Sequence, residues 1–155
     1  MTATTGESTV YTHRELAVSC YNAVWKYLDK KDRSADDEET MVHLCHSSFW
    51  HWTQVETVTK QNYSIGYWQL ARVHAVIGEG ETALRYADRC VAVGHEAELA
   101  PFYIGYGYEA RARAYRVLRM PEEADAARRE ALAYAGLVAD EEHQSWLLKD
   151  LEILA

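Results

Sequence analysis

The chain has 155 residues and a formal net charge of −8 at pH 7, with 48% hydrophobic and 26% charged residues. This length and composition predict one soluble globular domain over residues 1–155 that can bury a core. Because the net charge repels phosphate backbones and anionic lipids, we expect neither a nucleic-acid partner nor a membrane-surface partner.

The first ten residues are small and polar, and they predict a disordered segment over residues 1–10. They lack the cationic and apolar regions of a secretory signal, and no apolar run in the chain reaches the length of a membrane span. Cys20, Cys45 and Cys90 are odd in number and have no CxxC spacing, which favours buried thiols in a reducing compartment. We therefore expect a cytoplasmic protein without a resident cofactor.

Prolines and glycines divide the chain into seven predicted helices. Pro101 and Pro121 are expected in first turns, where the missing N–H would have no partner within the helix. The charged stretch over residues 29–39 predicts a solvated connection that runs into the second helix. The predicted helices lie near residues 11–30, 38–57, 61–78, 81–94, 101–119, 121–138 and 141–154.

One face of the second predicted helix carries side chains of the types that bind metals or transfer protons. Glu39, His43, His46 and Trp50 follow at i, i+4, i+7 and i+11, so they share one side of the helix. A carboxylate and two imidazoles on one face can act as metal ligands or as an acid–base set. His43 and His46 are thus candidate ligands for a divalent metal, with His13 or His74 completing the set. The missing HExxH spacing favours the alternative of surface or subunit-contact histidines.

The neighbours Trp50 and His51 raise separate expectations. The indole of Trp50 lies opposite the core side of its helix, so the first helix, a groove interior or a second subunit should cover it. The last option predicts a homodimer. His51 lies about 140° round the helix from His46, so one helix cannot direct both imidazoles to one metal. The alternative interpretation of His51 is that it forms a hydrogen bond to a hydroxyl group in the core.

Residues 61–137 nearly repeat themselves with a 41-residue offset. Such self-similarity is typical of stacked helical hairpins, in which each unit buries its apolar face against a neighbour. The matching pairs are Gly66-Tyr67 with Gly107-Tyr108, Ala71-Arg72 with Ala112-Arg113, Val76 with Val117, Glu81 with Glu122, Ala83 with Ala124, and Ala92 with Ala133.

Small and aromatic residues recur in both units at the places where tetratricopeptide hairpins pack: Tyr67, Leu70, Ala71, His74, Gly78, Ala83, Ala87 and Cys90, then Tyr108, Ala112, Tyr115, Ala124 and Ala131. The chain therefore resembles tetratricopeptide-repeat proteins. The resemblance implies an all-α fold of three antiparallel helical hairpins stacked as a right-handed array. Residues 141–155 would form a capping helix. Residues 46–52 and 66–73 also resemble a group of small bacterial tetratricopeptide-like proteins.

The resemblance implies a concave groove lined by one side of each hairpin's first helix. On the third and fifth helices that side carries Trp68, Gln69, Arg72, Tyr106, Glu109 and Arg113. A binding module follows, in which arginines take the charge of a peptide or small acidic ligand and aromatic rings supply apolar contact. The alternative is a solvated surface with internal pairs at i, i+4.

A second hypothesis is a small cytoplasmic enzyme whose hairpins close over an aromatic pocket. His46 or His51 would act with Glu109 as acid and base, with or without a divalent metal. For His74 a hydrogen-bonded core histidine is expected instead. Arg111 stands where the repeat has an apolar residue, so it should either extend to solvent or bind an anion.

Overall fold

A computed structural model describes residues 6–155 of the chain. Within this range the protein forms seven α-helices and no β-strand, which confirms the all-α class. The helices are α1 (His13–Leu28), α2 (Ala35–Thr53), α3 (Lys60–Val76), α4 (Gly80–Glu96), α5 (Pro101–Val117), α6 (Pro121–Ala135) and α7 (Glu141–Ile153). Of the segment predicted to be disordered, residues 1–5 lie outside the described range, while residues 6–10 are irregular and exposed.

Local sequence explains where the helices begin. α2 starts at Ala35 rather than at residue 38, because Ser34 and Asp37 form a reciprocal capping box inside the charged stretch. α1 and α3 begin with the same arrangement of side chains. α5 and α6 begin at Pro101 and Pro121, as the sequence predicted.

The 41-residue offset reappears in the helix boundaries. α3 covers residues 60–76 and α5 covers residues 101–117, while α4 and α6 begin at residues 80 and 121. The pairs α3–α4 and α5–α6 therefore correspond to one another. Contacts link α3 with α5 and α4 with α5, as well as the two helices within each pair. This array of neighbouring helices is compatible with a helical-repeat fold.

The repeated glycines allow close approach between helices. A Cβ added at Gly66 would stand 2.7 Å from the ring of Phe49 in α2. At Gly107 it would stand 3.2 Å from the backbone nitrogen of Val91 in α4. The Gly-Tyr motif thus marks the places where α3 and α5 pack tightly against the helix before them.

The buried residues form several small clusters along the array. At the N-terminal end larger side chains such as Met41 and Leu70 fill the space between α2 and α3, while alanines dominate the middle. At the other end Leu147 and Leu151 of α7 pack on α6. This position of α7 is compatible with the predicted cap. No helix among residues 6–155 is long and apolar enough to cross a membrane.

Candidate functional site

A pocket of about 560 Å³ opens on the molecule and is lined mainly by aromatic side chains. We call it the aromatic pocket. α1, α3, α5 and α7 all contribute rings to its wall, namely Trp25, Trp68, Phe102, Tyr106, His143 and Trp146. A volume of this size lies within the range of sites that bind small organic molecules.

The rings from the first three of these helices contact one another directly. Trp25 of α1 stacks on Trp68 of α3, with ring centroids 5.7 Å apart and planes at 26°. Trp68 then meets Tyr106 of α5 edge to face, at 5.6 Å and 77°. Both arrangements are favourable for aromatic pairs. One side of the wall is thus held in shape without a ligand.

The rings of α5 and α7 continue the series. Phe102 lies 5.1 Å from Tyr106 and 4.7 Å from His143, measured between ring centroids. His143 lies 5.0 Å from Trp146. Trp146 is 46% exposed, and a half-exposed indole beside a cavity is available to a ligand. α7 therefore supplies the outer part of the wall.

The polar groups of the aromatic pocket centre on Asp150. Its Oδ2 accepts a hydrogen bond of 2.8 Å from the hydroxyl of Tyr106. Burial, followed by this contact with Asp150, raises the pKa of Tyr106 well above its usual value, so the phenol stays a neutral donor. Lys149 also lines the pocket but is not ion-paired with Asp150.

Trp68 connects the aromatic pocket to a buried carboxylate. Glu109 is 0% exposed, and its Oε2 accepts a 2.9 Å hydrogen bond from Nε1 of Trp68. Its Oε1 accepts bonds of 3.0 and 2.8 Å from Nε and Nη2 of Arg113. Nη1 of Arg72 lies 3.5 Å from the same oxygen. We call these four residues the Glu109 network.

The Glu109 network follows from the repeat. Trp68 and Glu109 stand 41 residues apart, as do Arg72 and Arg113, so equivalent positions of the two units meet at the α3–α5 contact. Burial, and then the charge of Arg113, lowers the pKa of Arg72. Two partly buried guanidinium groups thus depend on one carboxylate.

The structure divides the predicted groove residues between these two places. Trp68 and Tyr106 line the aromatic pocket, whereas Arg72, Glu109 and Arg113 belong to the Glu109 network and do not line it. The arginines predicted to meet a ligand therefore contact an internal carboxylate.

Gln69, also predicted to line the groove, has a different position. Its side chain is 1% exposed, and Nε2 donates a 3.0 Å hydrogen bond to the backbone oxygen of Tyr21 in α1. Gln69 is buried because α1 packs against this side of α3. The repeat pattern begins after α1 and therefore gave no sign of that contact.

The groups considered for acid–base chemistry lie in separate networks. Nε2 of His46 shares a 3.0 Å hydrogen bond with Nε2 of His74. Nδ1 of His51 shares a 2.9 Å hydrogen bond with Nδ1 of His13. Neither His46, His51 nor Glu109 lines the aromatic pocket. The geometry thus brings no two of these three groups to a common site.

Of the histidines considered as metal ligands, His46 and His74 contact each other, whereas His43 and His13 lie in other contacts. The exposed imidazole of His43 lies 3.5 Å from Glu39. His74 is 5% exposed and bonds to His46 and, at 2.7 Å, to Glu79, which confirms the predicted core histidine. Across residues 6–155, no three His, Cys, Asp or Glu side chains are grouped so that they could hold a metal ion.

Two further predicted features lie at the surface. Arg111 donates a 2.8 Å hydrogen bond from Nε to Asp88 and lies over the ring of Tyr108, so it extends outward as expected. Trp50 is 55% exposed, and its ring meets those of His13 and His51 edge to face, at centroid distances of 5.6 and 5.1 Å. His13 of α1 covers it only in part and it does not line the aromatic pocket, so a subunit contact at Trp50 stays a prediction.

The His46–His74 contact predicts a pH-dependent stability. Burial, followed by the charge of His74, lowers the pKa of His46 from its usual value of 6.5. The folded state therefore binds fewer protons than the unfolded chain as the pH falls below 6.5, and stability is lost there. We expect His46→Gln to flatten the fall in unfolding free energy between pH 6.5 and about pH 5, measured by urea unfolding. The exposed His43→Gln serves as the control, and equal slopes for both variants would exclude His46 as the source.

The sequence predicts only a capping role for α7 and not its contribution to the wall of the aromatic pocket. The helical spacing of Leu147, Leu151 and Leu154 predicts a cap. His143, Trp146 and Asp150 follow at i, i+3 and i+7 on another side of α7. Tyr21 and Trp25 of α1, at i and i+4, were missed in the same way. In each case the signal was an aromatic stripe on a helix outside the repeat.

No protein-family model matches the chain, and no curated protein matches it significantly. The function must therefore be inferred from the geometry of the aromatic pocket and its surroundings.

Proposed function

We propose that the protein is a ligand-binding module whose aromatic pocket holds a small organic molecule or a side chain of a peptide. The series of rings from Trp25 to Trp146 around a cavity of about 560 Å³ supports this proposal. Apolar and aromatic walls with a few polar groups are typical of ligand sites, because contact with a ligand removes the exposed rings from water.

The fold in this proposal is a tetratricopeptide-like, right-handed array of three antiparallel hairpins, α1–α2, α3–α4 and α5–α6. The 41-residue offset of the helix boundaries and the contacts between consecutive pairs support it. In such an array the first helices of the hairpins would face one side. The aromatic pocket takes rings from these same helices, α1, α3 and α5, and from α7.

The ligand's charge distinguishes two versions of the proposal. The sequence predicted a peptide or small acidic ligand held by arginines, yet Arg72 and Arg113 are engaged by Glu109. An acidic ligand in the aromatic pocket would instead have to meet Lys149. The enzyme alternative is less well supported, because His46, His51 and Glu109 do not line the pocket.

The five tryptophans of the chain provide a direct test. We expect the pocket to bind at least one of three soluble compounds that each carry a single benzene ring. These compounds are benzyl alcohol, phenylacetate and benzyltrimethylammonium. Binding should shift the indole N–H resonances of Trp25, Trp68 and Trp146 in a two-dimensional NMR titration. The resonance of Trp50, which lies outside the pocket, should not move.

A matched pair of variants strengthens this test. Trp146→Ala should weaken binding about tenfold through loss of aromatic contact. Trp50→Ala should leave it unchanged, although Trp50 is 55% exposed and Trp146 is 46% exposed. The proposal fails if none of the three compounds shifts the pocket resonances, or if Trp146→Ala binds as tightly as the wild type.

A further inference from the structure

Asp150 places a negative charge in the wall of the aromatic pocket. Its only side-chain hydrogen bond among residues 6–155 comes from the neutral hydroxyl of Tyr106, at 2.8 Å. Within the described part of the chain, no Lys, Arg or His nitrogen lies within 4.0 Å of its carboxylate. The charge therefore has one phenol as a hydrogen-bond donor and no ion pair among the described residues, and a cation entering the pocket would meet it directly.

The faces of the surrounding rings favour the same charge. Aromatic faces carry partial negative charge and attract ammonium and guanidinium groups. Trp68 already has such a partner, because the guanidinium of Arg72 lies 5.9 Å from its ring centroid. In the described residues Trp25, Tyr106 and Trp146 have no cation in this position. These three rings and the Asp150 carboxylate are thus all available to a cationic ligand.

The nearby positive charges belong to Lys149, Arg72 and Arg113. Lys149 is exposed and does not pair with Asp150. Arg113 and Arg72 do not line the pocket, and both lie against the buried carboxylate of Glu109, although the charge of Arg72 also interacts with that of Asp150. The chain as a whole carries −8, which raises the local concentration of cations around it.

We infer that the aromatic pocket selects an organic cation: a substituted ammonium group joined to an apolar or aromatic body. The inference rests on the binding function proposed above. The ammonium group would contact Asp150 and the faces of Tyr106 and Trp146, while the apolar body would fill the remainder of the pocket. Substituted ammonium groups suit such a site because they are weakly hydrated and make broad contact with aromatic faces.

Three probes that share a benzene ring test the inference on the wild-type protein. Benzyltrimethylammonium is the cation, benzyl alcohol the neutral compound and phenylacetate the anion. Isothermal titration at low ionic strength should show that the cation binds at least about tenfold more tightly than either of the others. Tighter binding of phenylacetate would overturn the inference in favour of an acidic ligand.

Variants then test the role of Asp150. Asp150→Asn keeps an oxygen for the Tyr106 hydroxyl but removes the charge, so it should weaken binding of the cation about tenfold and leave that of benzyl alcohol unchanged. Asp36→Asn, at an exposed position at the start of α2, changes the net charge equally and should have no effect. Equal losses in the two variants would overturn the assignment of Asp150.

The outcomes separate this inference from the proposed function. If benzyl alcohol and the cation bind equally and both shift the resonances of Trp25, Trp68 and Trp146, the cation selectivity is overturned while the binding function stands. If no probe binds, both are overturned.

Discussion

The Glu109→Gln variant is expected to lose about 3–5 kcal/mol of unfolding free energy, because it removes the anionic partner of two partly buried guanidinium groups. Glu109 is 0% exposed, and the side chains of Arg72 and Arg113 are 19% and 15% exposed. A glutamine still accepts the indole N–H of Trp68 but leaves both positive charges without an anionic partner. Urea unfolding followed by circular dichroism measures the loss.

An exposed ion pair supplies the comparison. Asp125 lies 2.7 Å from Arg116, and its side chain is 53% exposed. Asp125→Asn should change the unfolding free energy by less than about 1 kcal/mol, because water screens the pair. The double variant Glu109→Gln/Arg113→Gln should recover part of the loss, since it removes one of the stranded charges. A cost below about 1 kcal/mol for Glu109→Gln alone would show that the network does not carry the α3–α5 contact.

The Leu147→Ala variant is expected to lower the unfolding free energy by about 2–5 kcal/mol, the usual cost of a cavity at a buried leucine. Leu147 is 0% exposed and clusters with Ala131 and Ala135 of α6. Its Cδ2 would lie only 2.6 Å from a Cβ added at Gly105, so the side chain fills the space that this glycine leaves on α5. Alanine cannot fill that space, and the docking of α7 weakens.

The adjacent Leu148 provides a control with the same side chain. It is 42% exposed, so Leu148→Ala should cost less than about 1 kcal/mol. Because Trp146 and Asp150 lie on the same helix, Leu147→Ala should also weaken binding of probes in the aromatic pocket. Equal unfolding free energies for the two variants, measured in urea, would show that α7 is not docked through Leu147.

The helices could be predicted from the sequence because their signals are local. Proline at a first turn, the breaks near glycine and the helical spacing of apolar residues depend on a few neighbouring positions. The start of α2 was missed because Ser34 and Asp37 form a capping box within a stretch that reads as a solvated connection. The 41-residue offset predicted that α3–α4 corresponds to α5–α6, and the helix boundaries are compatible with it.

The candidate site was harder to predict because its residues come from inside and outside the repeat. Trp68 and Tyr106 were identified, but Trp25 and Trp146 stand on helices that have no counterpart in the repeated units. The sequence also gave no sign that Glu109 is buried. Helical spacing within α5 predicts that Glu109 lies beside Arg113. Only the packing of α3 on α5 brings Arg72 to the same carboxylate oxygen.

The histidines show the same limit. Helical spacing placed His43 and His46 on one face of α2 and separated His51 from them. The contacts that form are with other helices, since His46 meets His74 of α3 and His51 meets His13 of α1. Spacing within one helix cannot name a partner that depends on how two helices cross.

Residues 68 and 109 occupy equivalent positions 41 residues apart but are a tryptophan and a glutamate, and this difference has a consequence for duplication of the sequence. Trp68 donates to Glu109 because the second unit carries an acid where the first carries an indole. A tandem copy of residues 60–100 inserted after the original would set one indole against another at the new junction. It would also place two Arg72 side chains there without any carboxylate. The contact between α3 and α5 is therefore directional, since the indole donor lies on α3 and the carboxylate acceptor on α5.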